Sequence, residues 1–377
     1  MPSHSPARVS TDTLAATAVR YQPSMEKRDE TEAHIDAGLV ETITAIQRKV
    51  YEDSGHAMRG VHAKAHGVLV GELRVLDGLP PILAQGLFAK PARYPVIMRL
   101  STIPGDVLDD AVSVPRGLAV KVIGVPGLRV AGSENHVTQD FVLANGAVFA
   151  KSNTKSFLST LKLLASTTDR APGLKKVLSA VMRGAETLLE SVGGQSATVM
   201  SLGGYPEVNI LGDSFYSQAP ILYGDYMAKV AIKPSSTGLR ALRKAPLDLT
   251  GKPDGIRAAV VEFFRSNGGE WELQVQLCTD LQTMPIEDAA KAWPEDSSPY
   301  MAVAHIVVPA QDAWSTARVR FVEEQMSFSP WHALGAHRPL GAIMRARKNV
   351  YARTAAYRAE HNRVKLIEPE RIEDVPR

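Results

Sequence analysis

The sequence predicts an α+β fold in which an antiparallel barrel or sandwich carries helices around it. Three observations lead there. Short apolar or alternating runs at residues 68–75, 96–101, 118–123 and 140–143 are separated by Gly and Pro turns. Further runs of the same kind follow at 226–232, 271–277 and 301–308. Helical periodicity is confined to residues 31–52, 154–189 and 338–361, whereas βαβ units would need a helix after each strand.

In order along the chain, residues 1–30 hold Ser, Thr, Ala and Arg with little apolar periodicity, which reads as a loose arm. They lack the apolar core of a secretory signal, so a cytoplasmic protein is the expectation. Ile35, Leu39, Ile43, Ile46 and Val50 then fall at helical spacing. After the first strand block, Phe157, Leu158, Leu161 and Leu164 form one helical stripe, and Leu174, Val177, Leu178 and Val181 a second. Ala171-Pro172-Gly173 breaks between them. Strands on both sides of this insert complete one sheet system, so residues 31–365 form a single domain and 366–377 a solvated tail.

Composition excludes several classes. Of 377 residues 45% are hydrophobic and 22% charged, an ordinary globular balance. A net charge of +3 gives no case for nucleic acid or an acidic membrane surface, and no apolar run approaches the roughly 20 residues of a membrane span. Cys278 is the one cysteine, which rules out an intrachain disulfide and any cysteine-built zinc or iron–sulfur site. Its place in the strand-like run 272–278 suggests a buried structural thiol.

Two stretches carry candidate chemistry. His62 sits in Met58-Arg59-Gly60-Val61-His62-Ala63-Lys64-Ala65-His66-Gly67, between the first helix and the first strand. Alone, it reads more readily as a hydrogen-bonded edge histidine than as a catalytic one. On the last helix, positions 347, 351, 355 and 358 share a face, so Arg347, Tyr351 and Arg358 stand where an apolar stripe belongs. A guanidinium favours a phenolate by charge and hydrogen bonding, and a phenolate is a good axial ligand for ferric haem iron. A solvated basic helix with a packed tyrosine is the competing reading. His66, His305 and His332 lack metal-like partner spacing and read as structural; Trp314 and Trp331 read as packing residues.

Taken together, these stretches resemble the haem catalase superfamily, in its small catalase-related branch. The distal signature is Arg59-Gly60-Val61-His62-Ala63-Lys64, followed by Arg99-Leu100-Ser101-Thr102 and Pro115-Arg116-Gly117-Leu118-Ala119-Val120-Lys121. Trp293-Pro294 precedes a strand as in the family. Arg347, Tyr351 and Arg358 match the proximal signature, and the runs at 328–334 and 337–341 look like the small branch. The resemblance implies a catalase-like antiparallel β-barrel with surrounding helices and a haem pocket, without the family's C-terminal domain. It implies haem b (iron protoporphyrin IX) held by Tyr351, which Arg347 keeps ionised. His62 would be the distal acid–base group, oriented by Ser101, with Val61 narrowing the access channel. Arg59, Arg99 and Arg358 would reach the haem propionates.

The distal asparagine of the family has Asn135 as its candidate. A register that matches Phe141 and Phe149 to the family's haem-side phenylalanines puts His136 there instead. Little chain follows Arg358, so the resemblance does not extend to nicotinamide binding or to the interwoven tetramer; a homo-oligomer, a dimer, is expected. The implied activity is reduction of hydrogen peroxide or an organic hydroperoxide through a ferryl intermediate, with a second peroxide or a small organic electron donor completing the cycle. Rearrangement of fatty-acid hydroperoxides is a second reading, against which stands Val61 where those relatives carry threonine. Haem storage or sensing is a third.

Overall fold

The computed structural model describes residues 10–112, 114–166 and 206–377. The second expected helical stripe, Leu174 to Val181, lies outside these residues. Nine strands form the sheet: β1 (Lys64–Val75), β2 (Arg93–Thr102), β3 (Arg116–Ile123), β4 (Thr138–Ala144), β5 (Phe215–Tyr216), β6 (Ile221–Tyr223), β7 (Tyr226–Pro234), β8 (Gly269–Leu277) and β9 (Met301–Val308). All pairings are antiparallel. They run β1–β2–β3–β4–β5, then from β5 across to β7, β8, β9 and back to β1, so eight strands close a barrel; β6 extends from β7 outside the ring. Closure removes the open edges an antiparallel sheet would otherwise expose.

The period-two pattern decides what fills the barrel. Leu69 and Leu73 of β1, Met98 and Leu100 of β2, Leu118, Val120 and Val122 of β3, and Phe141 of β4 point inward into one buried cluster. Val230, Ile232, Leu273, Val275, Ala304 and Ile306 join them from the other side of the ring. The alternate residues face outward. Val68, Ile97, Ala119 and Val142 pack under Phe321, Val322, Met326 and Phe328.

Among the described residues there are seven α-helices: α1 (Thr11–Thr17), α2 (Glu32–Ser54), α3 (Thr154–Ser166), α4 (Thr237–Ala241), α5 (Gly255–Ser266), α6 (Thr316–Arg320) and α7 (Ala342–His361). The spacing read from the sequence is the buried stripe of α2: Ile35, Leu39 and Ile43 pack against Leu161 of α3 and against Ala346, Val350 and Tyr351 of α7. The α2–α7 pair therefore stands outside the barrel, and the space between pair and barrel is where the candidate residues meet. No helix among the described residues is long and apolar enough to cross a membrane.

Both ends of the described chain depart from expectation. The arm expected to be loose through residue 30 is packed from residue 10. Ser10 Oγ accepts from Thr13 N at 3.1 Å and caps α1, and Leu14 is fully buried in the barrel cluster. Val19 N donates to Cys278 O at 2.8 Å, and Glu26 accepts from both Arg338 and Arg345 at 2.8 Å. One buried leucine and a cap leave no periodic signal for a sequence reading to find. Replacing Leu14 with Ala should cost about 2–5 kcal/mol in urea unfolding of the full chain, whereas a free arm would show no change. At the other end, Ile367 N donates to Gln325 O at 2.7 Å, Val375 is buried, and Glu368 accepts from buried Lys121. Cys278 is buried as expected, and burial pushes its thiol up to about 12.

Candidate active site

A recess lies between the outer face of β2–β4 and helix α7. On the barrel side it is lined by His62, Val61, Ser101, Ala119 and Val142, and on the helix side by Val350, Tyr351, Thr354, Ala355 and Arg358. Two stretches nearly 300 residues apart in sequence thus meet across one cavity.

His62 takes a left-handed backbone conformation, φ 53°, in the loop that enters β1. Sheet register brings its partners together, since Ser101 pairs with Ala65 of β1 and with Gly117 of β3. The imidazole lies directly over Gly117: a Cβ there would fall 2.5 Å from His62 Cε1 and 2.6 Å from Nδ1, so position 117 accepts only glycine. Ser101 Oγ lies 3.2 Å from His62 Nδ1 and 3.4 Å from the Gly117 carbonyl oxygen. With its single hydrogen given to that carbonyl, Oγ accepts from Nδ1–H, which leaves Nε2 as a free base. Burial, then the nearby Arg99 and Arg347, hold the ring down to about 3, so it is neutral at ordinary pH.

The loop is held from behind. Buried Gln47 of α2 donates to Met58 O at 2.7 Å and to Thr354 O at 3.1 Å, joining loop, α2 and α7. Asn362 takes Ala57 N at 2.9 Å and gives to Ala57 O at 2.8 Å.

One wall of the recess is cationic. Arg59, Arg99 and Arg358 converge on it, and all three are largely buried. Arg99 makes a two-pronged ion pair with Glu323, Nε to Oε1 at 2.6 Å and Nη2 to Oε2 at 2.8 Å. Arg59 Nε stands 3.7 Å from Glu323 Oε2, while its Nη2 and that of Arg358 donate to the Met326 carbonyl at 3.2 and 2.8 Å. Burial raises the Glu323 carboxyl, but Arg99, Arg59 and Arg358 outweigh it and draw it down to about 2. Burial lowers Arg59 and Arg358, each further lowered by a guanidinium beside it. Glu323 sits on a π-helical turn, Phe321–Gln325, and nothing in the sequence spacing pointed to it.

Three guanidiniums face the Glu323 carboxylate, with Glu324 acting on Arg358 as well, so this wall keeps a positive surplus, and the Nε atoms of Arg59 and Arg358 are buried without a hydrogen-bond partner. Apart from His62, Ser101, Ser327, Tyr351 and Thr354, the rest of the lining is apolar, with Val61, Ala119, Val142, Phe328 and Val350 in it. A flat apolar tetrapyrrole bearing two carboxylates fits both features, and the phenol of Tyr351 stands at the same cavity as an oxygen ligand of the kind ferric haem takes.

Other candidates fall elsewhere. Arg347 does not hydrogen-bond the Tyr351 hydroxyl; its guanidinium lies 5.7 Å over the Phe149 ring, and Nη1 reaches Met344 Sδ at 3.6 Å. Phe149 packs edge-on against Phe157, with centroids 4.9 Å apart, and does not line the recess. Phe141 points into the barrel, where it stacks on Phe88 at 6.5 Å, because strand alternation gives the outward places to Val142 and Ala119.

Asn135 is exposed in the turn before β4, and neither it nor His136 lines the recess. The register explains this. Thr138 pairs with Ile123 at one end of the β3–β4 hairpin, while Ala144 pairs with Gly117, under His62, at the other. Asn135 is thus about 20 Å of strand away from His62. Asn145 follows β4 at the His62 end, but its side chain accepts from Arg116 N at 3.0 Å and donates to Asp213 at 3.2 Å. No carboxamide lines the recess among the described residues.

No protein-family model matches the chain, and no curated protein matches it. Solved structures do. A fungal catalase is 19% identical with a TM-score of 0.58 over 84% of this chain. Catalase A from Saccharomyces cerevisiae is 20% identical with a TM-score of 0.61 over 83%. A bacterial catalase is 15% identical with a TM-score of 0.58 over 92%. The chain spans 64% of the length of each. At these identities the likeness establishes the fold, which is the catalase-like α+β barrel.

Proposed function

We propose that this chain binds haem in the recess, where Tyr351 would supply an oxygen ligand, and reduces hydrogen peroxide or an organic hydroperoxide, drawing electrons from a second peroxide or a small organic donor. The observation that carries the reading is the convergence of His62, Tyr351 and three arginines on one largely apolar cavity. When bound, haem supplies the redox-active iron for cleaving a peroxide O–O bond.

The chain's own residues supply the rest. His62, neutral and with Nε2 free, takes the proton from one peroxide oxygen and returns it to the leaving oxygen. Ser101 and Gly117 fix the ring's tautomer and tilt. Arg59, Arg99 and Arg358 would hold the two propionates, with guanidinium matched to carboxylate. Val61, Val142 and Phe328 keep bulk water from the reacting end. Since Arg347 does not touch the phenol, helix packing around Ala346 and Val350 is what positions Tyr351.

The test compares wild type with Tyr351→Phe by haem titration, oxygen evolution from hydrogen peroxide, and oxidation of a phenolic dye. Wild type should take up one haem with the absorption of a phenolate-ligated ferric centre and consume peroxide; the variant should lose both signatures. The ratio of the two assays assigns catalase or peroxidase turnover. Wild type that binds haem but reacts with neither hydrogen peroxide nor a lipid hydroperoxide would leave haem binding as the function.

A further inference from the structure

We propose that His136, His332 and Glu368 form a site for a divalent transition metal of the zinc class, which clasps the C-terminal segment onto the barrel. The three residues come from separate stretches: the turn before β4, the segment between the π-helical turn and α7, and the segment after α7. One ligand atom from each lies within 4.8 Å of the others. Tetrahedral ligands with bonds of 2.0–2.1 Å stand about 3.3 Å apart, so the three side chains must draw closer to close on a metal.

The hydrogen bonds around the group prepare it for this. Lys121 directs its three hydrogens at Asp140 Oδ1 and Oδ2, each 2.9 Å away, and at Glu368 Oε1. The His332 Nδ1 that lies 3.2 Å from the same ammonium is therefore left to donate its own hydrogen to Asp140 Oδ2, 3.1 Å away. A carboxylate holding Nδ1–H presents Nε2 as the ligand, the arrangement found behind metal-bound histidines. Glu368 Oε1 takes both Lys121 and Thr138, while Oε2 lies 3.4 Å from His332 Nδ1 and would turn from that contact to take a cation. His136 Nδ1 is buried without a hydrogen-bond partner, its ring edge-on to that of His332 with centroids 4.8 Å apart. Asp140 and Glu368 carry two negative charges against Lys121, and the Arg129 guanidinium, held on the Thr138 carbonyl, also acts on Glu368. Two imidazoles and one carboxylate favour zinc, cobalt or nickel over magnesium or calcium.

Calorimetric titration of the full chain with Zn²⁺, and visible spectroscopy with Co²⁺, test the site. One saturable equivalent is expected, with a tetrahedral cobalt spectrum. His136→Ala and His332→Ala should each weaken binding by roughly 100-fold or more, and Glu368→Gln by at least about 10-fold. His305→Ala, on β9, should leave it unchanged. Zn²⁺ should also slow hydrogen exchange of the amides at 366–377 in wild type and not in His136→Ala. Absence of saturable binding, or binding that survives His136→Ala unchanged, overturns the proposal. His136 lies in a half-buried turn, so its variant decides the matter even where His332→Ala fails to fold.

Discussion

Haem-loaded His62→Gln is expected to consume peroxide about 10²- to 10⁴-fold more slowly than wild type while still taking up haem. Glutamine fills a similar space and can hydrogen-bond, but it cannot accept a proton and hand it on, so the loss should fall on the rate and not on cofactor affinity. Haem uptake reduced in parallel with activity would mean that His62 supports the pocket's shape. A second readout needs no cofactor. Burial, with Arg99 and Arg347 nearby, places the folded-state value near 3 against an ordinary 6.5. The folded chain therefore binds fewer protons than the unfolded chain between those values, so stability falls as pH falls. The contribution of His62 is complete above pH 6.5 and is lost progressively toward pH 3. Wild type should lose more unfolding free energy than His62→Gln between pH 7 and pH 5, measured by urea denaturation. Equal losses would show that the ring protonates freely in the folded chain.

Glu323→Gln should destabilise the haem-free chain by about 3–5 kcal/mol, because it removes the carboxylate that faces three buried guanidiniums. Haem should cut that loss substantially, since two propionates then supply negative charge at the same wall. Urea unfolding with and without haem checks this. An equal loss in both forms would show that the haem carboxylates do not reach Arg59, Arg99 and Arg358. The carboxyl of Glu323 is drawn down to about 2 from an ordinary 4.5. Its contribution to stability is thus present above pH 4.5 and disappears as pH falls toward 2, below the window used for His62.

Much of this architecture was legible in the chain because it depends on local periodicity. Strand alternation in 68–75, 96–101 and 118–123, and the stripe of Ile35, Leu39 and Ile43, predicted β1, β2, β3 and α2. The three- and four-residue steps from Tyr351 to Ala355 and Arg358 placed those residues on one face, and all three line the recess. Arg347 begins the same series yet turns to Phe149, since a long side chain goes where its neighbours allow.

What the sequence by itself determined, then, is which residues can share a strand face or a helix face, because side-chain direction repeats every two or 3.6 residues whatever surrounds the element. Only the tertiary structure decided which face looks where. It turned Phe141 into the barrel and Val142 toward the cavity, and it put Asn135 at the end of the β3–β4 hairpin remote from His62. Packing of the segments after β9 against the outside of the barrel, a non-local event, also brought Glu323 to Arg99 and Glu368 to Lys121, pairings 224 and 247 residues apart. Contacts at such separation leave no periodic trace in a sequence, since their geometry exists only once the strands between them have paired.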